Sequence, residues 1–338
     1  RLVALLVQVH EHGSLAVGCR HCALSYRHAW EMLRQGESVF GAPLVQMARG
    51  RGSRLTPLGE KLVWAEHRIA ARLSPVLDSL ASEIEVEISR SVAPAPVRLR
   101  VHASHGFAIE KLLDLLGADG SAIERKYVGS QEAVAALRDG GCDVAGFQVP
   151  LGEFEARSLA HYAGWLDART QRVIDVATRR QGLVVARGNP LRIRDVRDLA
   201  RPEVRFINRL RGSGTRFLLE ALLAQAGVDA ARINGWEQGE YTHAAVAAFV
   251  ASGMADAGFG IETPARHFRL DFVPIASERY FLLCDEATLA TPPLQAAIAV
   301  LRGQAFHDAI ARLPGCGATD PGRVQTPAQA SPDLAGFA

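Results

Sequence analysis

The sequence lacks the features of a membrane protein or of a disulfide-rich secreted protein. It has no apolar run of 18 or more residues, so no membrane-spanning helix is predicted, and no signal-peptide pattern is visible. Its five cysteines are an odd number scattered over 338 residues, which argues against a disulfide framework. We therefore expect a cytoplasmic protein with no membrane partner.

The motifs of common enzyme classes are also missing. There is no nucleophile elbow, no HExxH pair, no dinucleotide-binding fingerprint and no cluster of carboxylates suited to acid–base catalysis. We predict that the protein is not an enzyme and has no catalytic residues and no covalent cofactor. An enzyme or carrier acting on an anionic substrate is the alternative from another class, and turnover of such a compound would support it.

Positive charge is concentrated at the start of the chain, although the whole is nearly neutral. The net charge is +2, but residues 1–61 contain eight Arg or Lys and four Asp or Glu. A basic excess in one small segment is typical of a nucleic-acid-binding module. The remaining length suffices for further domains with apolar cores of their own.

The basic segment has the pattern of a helix-turn-helix followed by a wing. Apolar residues recur at helical spacing over residues 2–9, Gly13 ends that helix, and Ser25 caps a later one, SYRHAWEMLRQ. The stretch FGAPLVQMARGRGSRLT then predicts a β-hairpin ending at Thr56. This is the order of elements in DNA-binding helix-turn-helix domains. A basic surface without a DNA partner is the alternative.

The stretches GSLAVGCRHCALSYRHAWEML and VFGAPLVQMARGRGSRLTPLGEKLV resemble the winged helix of the ModE molybdate-responsive regulators, relatives of the LysR type. The resemblance covers nearly all of residues 1–65, although Ala23 stands where a turn glycine is expected. It implies that the third helix enters the major groove of double-stranded DNA and that the wing contacts phosphates or the minor groove. The residues concerned are Ser25, Tyr26, Arg27 and His28 in the helix, and Arg49, Arg51 and Arg54 in the wing.

Histidines and cysteines in this segment do not have the spacing of a zinc site. Cys19 and Cys22 lie at i and i+3 on a predicted helix, where small core residues belong. We predict no metal site.

A long helix with an apolar stripe follows the wing. Pro75 is expected to kink or restart this helix, with Ser74 as a cap. In the LysR and ModE relatives this helix pairs two subunits, so the resemblance implies a homodimer or a higher even oligomer. Packing against the chain's own C-terminal domain is the alternative. The stripe comprises Leu58, Leu62, Ile69, Leu73, Val76, Leu77, Leu80 and Ile84.

Strands and helices alternate after a Pro-containing linker, which predicts a parallel sheet with ligands at the carboxyl ends of its strands. The strongest candidate site is NRLRGSGTRF, residues 208–217, which follows a strand-like VRF and opens a helix. Such a corner exposes backbone N–H groups and the positive end of the helix dipole. We predict an anion site built from Arg209, Arg211, Ser213 and Thr215. A plain helix cap with solvated arginines is the alternative.

Residues 97–313 resemble the periplasmic-binding-protein-like domain found with molybdenum regulators, which is akin to molybdate- and phosphate-binding proteins. The resemblance rests on ASHG, VGS, DVAGF, GLVVARGNPL, RGSGTR, YTHAAVAAFVASGMADAGFGIE and ERYFLL. It implies an α/β type II domain of two lobes. The alternating pattern is itself too long for one small sheet and favours two lobes, with residues 182–190 and 268–274 crossing between them. An Asp is expected after the SH of the first turn, where Gly106 stands.

The resemblance and the strand ends together give ten candidate ligand-binding residues. For Ser104, Ser130 and Thr242 the alternative is a plain capping role, and for His105 and His243 a packed core position. The full set is Ser104, His105, Ser130, Arg209, Arg211, Ser213, Gly214, Thr215, Thr242 and His243.

The predicted architecture is therefore an N-terminal α+β winged helix-turn-helix (1–57), a long dimerisation helix (58–90), a linker (91–96), a two-lobed α/β domain (97–316) and a disordered tail (317–338) rich in Pro and Ala. We predict a transcription regulator in which a small anionic effector, molybdate or tungstate first, changes DNA binding. Since Trp165, Trp236, Tyr241 and Tyr280 favour a roomier stacking site, molybdenum cofactor or another anionic metabolite is the alternative ligand.

Overall fold

The computed structural model describes residues 1–48, 52–92 and 97–331. They form two compact units, Arg1–Ala71 and Arg72–Ala338. Within the described residues, none of the helices combines the length and the apolar character needed to cross a membrane.

The N-terminal unit is a three-helix module with a two-stranded antiparallel hairpin, as predicted. The side chain of Ser14 accepts a hydrogen bond from the Val17 amide, and that of Ser25 accepts one from the His28 amide, so both helices begin at side-chain caps. Leu5, Leu33 and other apolar side chains form its core. The elements are α1 (Leu2–His12), α2 (Leu15–His21), α3 (Tyr26–Phe40), β1 (Val45–Ala48), β2 (Gly52–Leu55) and the start of α4 (Pro57–Val92).

The turn between α2 and α3 contains a strained residue. Ala23, which stands where a glycine is expected, adopts a left-handed backbone with φ of 51°. An L-residue with a Cβ is destabilised there by roughly 1–2 kcal/mol. The turn therefore has the left-handed geometry expected of a glycine, although an alanine occupies the position.

Helix α4 runs through Pro75 for 36 residues, so the predicted restart at this proline is wrong. The Ser74 hydroxyl donates to the Asp78 carboxylate instead of capping a new helix. Proline removes one backbone hydrogen bond. Pro75 itself is buried, whereas the flanking Leu73, Val76 and Leu77 are exposed. Because α4 ends at Val92, Ser91 and Val92 are helical, and the rest of the predicted linker lies outside the described residues.

The C-terminal unit is built on a ten-stranded mixed sheet with the order β4-β3-β5-β10-β6-β9-β7-β8, in which β11 and β12 also pair with β6. Its strands are β3 (Leu99–Ala103), β4 (Ile123–Tyr127), β5 (Val144–Pro150), β6 (Gln171–Val185), β7 (Phe206–Arg209), β8 (Gly239–Glu240), β9 (Ala257–Ile261), β10 (Asp271–Asp285), β11 (Cys316–Gly317) and β12 (Val324–Gln325). Its helices are α5 (Phe107–Ala118), α6 (Ser130–Arg138), α7 (Glu155–Leu159), α8 (Gly214–Gln225), α9 (His243–Ala251), α10 (Glu262–His267), α11 (Pro292–Arg302), α12 (Gln304–Ala311) and α13 (Pro327–Ala330), with short 3₁₀ turns at Val196–Ala200, Ala230–Arg232 and Glu286–Ala290.

Two long antiparallel strands, β6 and β10, connect the two lobes of this unit. One end of each strand lies in lobe 1, where β10 pairs with β5, and the other end lies in lobe 2, where β6 pairs with β9. Lobe 1 also contains β3 and β4, and lobe 2 contains β7 and β8. The crossing strands include parts of both predicted segments, 182–190 and 268–274, but they extend further into lobe 1.

The segment after residue 316 is ordered up to Ser331, which corrects the prediction of a disordered tail for residues 317–331. Because β9 pairs with β6 only at residues 181–185, the first part of β6 has a free edge, and β11 and β12 pair with it. The Arg279 guanidinium donates to the Ala330 carbonyl at 2.8 Å. Tertiary pairing thus overrides a composition that is typical of disorder.

Candidate anion site between the lobes

Four helices begin around one cavity of about 310 Å³ in the C-terminal unit. Helices α5 and α6 belong to lobe 1, and α8 and α9 belong to lobe 2. The first N–H groups of a helix have no acceptor within it, and the helix dipole makes that end positive. The cavity is therefore suited to an anion. Residues at these four helix starts that line it are Ser104 and His105, Gly129 to Glu132, Gly212 to Thr215, and Tyr241 and His243.

The loop from β7 to α8 is held by its own side chains. The Asn208 side chain accepts from the Arg209 amide and donates to the Trp236 carbonyl. Gly212 has φ of 81°, a conformation that favours glycine. Ser213 caps α8 by accepting from the Arg216 amide at 3.3 Å, which leaves the amides of Gly214 and Thr215 at the open first turn of the helix.

Arg209 is the most unusual side chain of this site. It is buried and lines the cavity, yet its Nε and Nη1 atoms have no hydrogen-bond partner among the described residues. Burial, and to a smaller extent the nearby Arg179, lowers the pKa of Arg209 to about 10, so the guanidinium is still charged at pH 7. A buried cation with unused donors is unstable unless an anion joins it.

The neighbouring arginines have different surroundings. Arg216 is buried against the Trp236 ring at 4.8 Å, and its Nε donates to the Glu220 carboxylate at 3.1 Å. Arg211 lies at the rim of the cavity, is 76% exposed, and forms an ion pair with Glu237 at 2.7 Å. Arg216 is thus satisfied within the protein, whereas Arg209 is not.

Gln148 lies at the centre of the site, and the sequence analysis did not identify it. Its side-chain oxygen accepts from the Ser130 hydroxyl at 2.9 Å and from the Ser104 hydroxyl at 3.4 Å. Its amide nitrogen lies so close to Gly214 that a Cβ there would approach within 2.7 Å. The signal that could have revealed Gln148 is a single polar amide in the otherwise apolar and fully buried strand β5.

The two candidate histidines differ in their partners. His105 Nε2 lies 2.6 Å from a Glu110 carboxylate oxygen, which fixes its ring. His243 has a buried Nδ1 without a hydrogen-bond partner among the described residues. Burial, reinforced by the charge of Arg209, lowers the pKa of His243 well below 6.5, so its imidazole is neutral at pH 7.

Comparison with known proteins gives the family of this unit. Residues 114–302, more than half of the chain, match the PBP superfamily domain. The chain belongs to the PBP superfamily. Residues 1–60 match the helix-turn-helix of bacterial regulatory proteins of the LysR family. The predicted fold, a LysR-type helix-turn-helix joined to a PBP-like domain, is confirmed, whereas the resemblance to ModE in particular stays a prediction.

Two curated relatives and one solved structure illustrate the similarity. The chain is 35% identical to the uncharacterised protein YvgK of Bacillus subtilis, over 46% of this chain and 51% of YvgK. It is 30% identical to the molybdenum-pterin-binding protein MopB of Rhodobacter capsulatus, over 40% of this chain and 50% of MopB. The chain thus spans about half the length of both relatives. A mutant of Corynebacterium glutamicum OxyR with bound H2O2 superposes with a TM-score of 0.47 and 16% identity, covering 92% of this chain and 93% of that one.

A buried polar network in the PBP domain connects the cavity to the crossing strands. The Gln181 amide on β6 donates to the Thr215 hydroxyl at 3.2 Å and to the Glu278 carboxylate on β10 at 2.6 Å. Arg179 donates to the other oxygen of Glu278. The Arg179 guanidinium lies 3.2 Å from the place where a Cβ at Gly106 would be. Glu278 therefore supplies the carboxylate for this arginine where an Asp was expected at position 106.

The PBP domain brings nine of the ten predicted ligand-binding residues to the cavity, and Thr242 is the exception. Thr242 is buried and caps α9 by accepting from the Ala245 amide at 2.9 Å, which is the alternative role foreseen for it. Among the four aromatic residues considered for stacking, only Tyr241 belongs to the described lining. Trp236 contacts Arg216 instead, and Tyr280 donates to the Ser104 carbonyl.

The predicted DNA-contacting residues that the structure describes are on the surface of the helix-turn-helix unit. The four residues at the start of α3 are exposed, and so is Arg54 on β2. Arg27 forms a solvent-exposed ion pair with Glu31 at 3.2 Å, which is weak enough to be exchanged for a phosphate. Arg49 and Arg51 at the wing tip lie outside the described residues.

Proposed function

We propose that this chain is a LysR-type transcription regulator that binds DNA through its winged helix and senses an oxyanion in its PBP domain. The observation that carries the proposal is Arg209, a buried cation that lines a cavity where four helices begin and whose Nε and Nη1 atoms have no hydrogen-bond partner among the described residues. The helix-turn-helix match is to a regulatory family, which supports a regulator over an enzyme or carrier.

The donors around the cavity suffice for useful affinity. The Arg209 guanidinium, which lines the cavity, and the amides at the start of α8 and α6 are the donors that the backbone already places there. Each charge-assisted hydrogen bond contributes roughly 1.5–3 kcal/mol, and micromolar binding needs about 8 kcal/mol. Four or five such bonds total roughly 6–15 kcal/mol, a range that includes the value for micromolar binding. The Ser104 and Ser130 hydroxyls orient the Gln148 amide, whose nitrogen is a further donor.

We propose molybdate or tungstate as the first ligands to test, with sulfate and phosphate as competitors of similar shape. Support comes from the resemblance of both halves of the chain to molybdenum regulators, and from the relative MopB, which by its name binds molybdenum-pterin. That name also supports the second candidate, a pterin-bound molybdenum or another anionic metabolite. A cavity of about 310 Å³ is larger than one tetrahedral anion requires and lies at the small end of organic-ligand sites.

For DNA, we propose that residues 25–28 of α3 contact base edges in the major groove and that Arg54 contacts the backbone. A homodimer is supported by an apolar stripe that α4 leaves exposed. Its residues are Ile69, Leu73, Val76, Leu77, Leu80, Ile84 and Ile88. Because another face of α4 is hydrogen-bonded to the chain's own PBP domain through Ser79 and Ser82, the helix has a surface left for a second copy.

The proposal is tested by titration calorimetry of the full chain with molybdate, tungstate, sulfate and phosphate. Fluorescence anisotropy then measures the affinity for DNA with and without anion, using duplexes that the protein has selected from a random pool. We expect one oxyanion to bind selectively and to change the affinity for DNA at least tenfold, which corresponds to about 1.4 kcal/mol of coupling free energy. If no anion of the panel binds but a molybdenum-pterin does, the second candidate replaces the first. Unchanged DNA affinity at saturating ligand would remove the sensing role.

A further inference from the structure

The C-terminal half of α4 is docked on lobe 1 through its serines. The Ser79 hydroxyl oxygen accepts from the Tyr127 amide at 3.0 Å, and the Ser82 hydroxyl oxygen accepts from the Arg125 amide at 2.9 Å. These amides belong to β4, the edge strand of the sheet, whose outer N–H groups need acceptors. Ser82 is buried. This part of the helix is therefore fixed to lobe 1 by hydrogen bonds to its backbone.

The same helix also contacts lobe 2, through Arg72. The Arg72 Nε lies 3.0 Å from a carboxylate oxygen of Glu240, whose side chain is only 2% exposed. Glu240 is on β8 and is the register partner of Arg209 on β7, and its carbonyl accepts from the Leu210 amide. A shift of Glu240 therefore shifts the strand that carries the free guanidinium.

A second contact between the lobes lies directly beside the first. Tyr241, which follows Glu240 and lines the cavity, donates its hydroxyl to the Tyr127 carbonyl at 3.0 Å. Tyr127 thus contacts α4 with its amide and lobe 2 with its carbonyl. We call the Arg72–Glu240 ion pair, the Tyr241–Tyr127 hydrogen bond and the two serine contacts the α4 latch.

We propose that the α4 latch couples the anion site to the helix that leads to the DNA-binding module, with Arg72 as a positioning residue for the arrangement of the lobes. The inference rests on the proposed function, because it names how occupancy of that site is transmitted. Since Ser79 and Ser82 hold α4 to lobe 1, any movement of lobe 2 about the crossing strands changes the distance from Glu240 to Arg72. The free energy of anion binding therefore depends on whether the Arg72–Glu240 ion pair is kept, because both depend on the arrangement of the lobes.

The chemistry of the pair makes this coupling effective. Glu240 is a buried carboxylate, so separation from Arg72 removes a charge partner in a region of low dielectric. Arg72 is half exposed, so it can follow Glu240 or be replaced by water with little rearrangement of its own. Arg72 does not line the cavity, and its effect on anion binding must therefore act through Glu240.

The test compares the full-length wild type with Arg72→Ala, Glu240→Gln, the double variant and Arg90→Ala, an exposed position of the same helix. Hydrogen–deuterium exchange of residues 206–215 and 239–243 is measured without anion. Calorimetry with molybdate and tungstate follows. Arg72→Ala is expected to speed exchange in both segments and to change the anion Kd by about two- to fivefold, the upper part of the range expected for one half-exposed ion pair. The double variant is expected to be perturbed less than Arg72→Ala, because Glu240→Gln removes the buried carboxylate that Arg72→Ala leaves without this charge partner. Arg90→Ala is expected to match the wild type.

The outcomes separate the two proposals. If Arg72→Ala leaves exchange around β7 and β8 unchanged, the latch is refuted whether or not an anion binds. If exchange rises but neither anion binds the wild type, the oxyanion proposal fails, whereas the contact between α4 and lobe 2 stands. If both the exchange rate and the anion Kd change, but anion alters the affinity for DNA equally in Arg72→Ala and the wild type, the coupling role is overturned.

Discussion

Replacement of Arg209 by Met is expected to stabilise the anion-free protein and to abolish anion binding. The charged guanidinium is buried, its Nε and Nη1 atoms have no hydrogen-bond partner among the described residues, and burial lowers its pKa from 12.5 to about 10. A shift of this size corresponds to roughly 3 kcal/mol against the charged form. Since the side chain is charged at pH 7 in both the folded and the unfolded chain, the full penalty applies there and is relieved only as the pH rises above about 10.

Methionine fills a similar volume without charge, so a gain of about 1–3 kcal/mol in unfolding free energy is expected for Arg209→Met. In a domain of this size that raises Tm by roughly 2–4 °C per kcal/mol. The loss of two charge-assisted hydrogen bonds is expected to weaken anion binding by more than about a hundredfold. Urea denaturation without anion and calorimetry with molybdate and tungstate measure the two effects.

Arg216→Met is the matched control, because Arg216 is equally buried but is paired with Glu220 and stacked on Trp236. It is expected to lower the unfolding free energy. If Arg209→Met is destabilised as much as Arg216→Met and still binds the anion, Arg209 is an ordinary structural arginine and the argument for the site is wrong.

Three further predictions concern other parts of the molecule. Ala23→Gly removes the Cβ from a left-handed residue and is expected to raise the unfolding free energy of the N-terminal unit by about 0.5–1 kcal/mol, measured by guanidinium denaturation. The control Ala4→Gly, inside α1, is expected to lower it by about 1 kcal/mol. Equal effects of the two substitutions would contradict the strain at Ala23. Because folding depresses the His243 pKa, unfolded His243 takes up a proton near pH 6.5 and the folded one does not. Unfolding free energy should therefore fall by roughly 1.4 kcal/mol per pH unit below that value. Urea titrations at pH 5 to 7 should show a smaller slope for His243→Gln, and identical slopes would reject this assignment. Arg54→Ala is expected to reduce the salt dependence of log K for DNA by about one unit of slope, measured by anisotropy from 50 to 200 mM salt; an unchanged slope would mean that Arg54 does not contact phosphate.

Local features of this chain could be predicted because their causes are local. The Ser25 cap of α3 depends on residues within one helical turn, and the structure contains it. Gly212 and Ser213 identify a turn into a helix for the same reason, and α8 begins there. Thr242 shows the limit of such reasoning. A hydroxyl at a helix start has the same sequence pattern whether it caps the helix or faces a ligand, and here it caps.

The features that the sequence analysis missed depend on groups distant along the chain. Gln148 belongs to the site because two serines from other strand ends donate to it, at separations of 44 and 18 residues. The segment 317–331 is ordered because β6 has a free edge in lobe 1. Helix α4 continues through Pro75, which the local sequence did not predict because a proline inside a helix removes a backbone hydrogen bond.

By itself the sequence determined the division into a basic helical module, a long helix and an alternating α/β domain, because periodicity, caps and turn residues are properties of short windows. It also placed arginines and hydroxyls at the start of α8. Only the tertiary structure decided which of those arginines is unsatisfied. Arg209 and Arg216 stand seven residues apart with the same chemistry. Arg216 contacts Trp236 and Glu220, whereas Arg209 lines the cavity with its Nε and Nη1 atoms unpaired among the described residues. That difference arises from the packing of β7 and β8 and of the two lobes around the cavity, which no local pattern encodes.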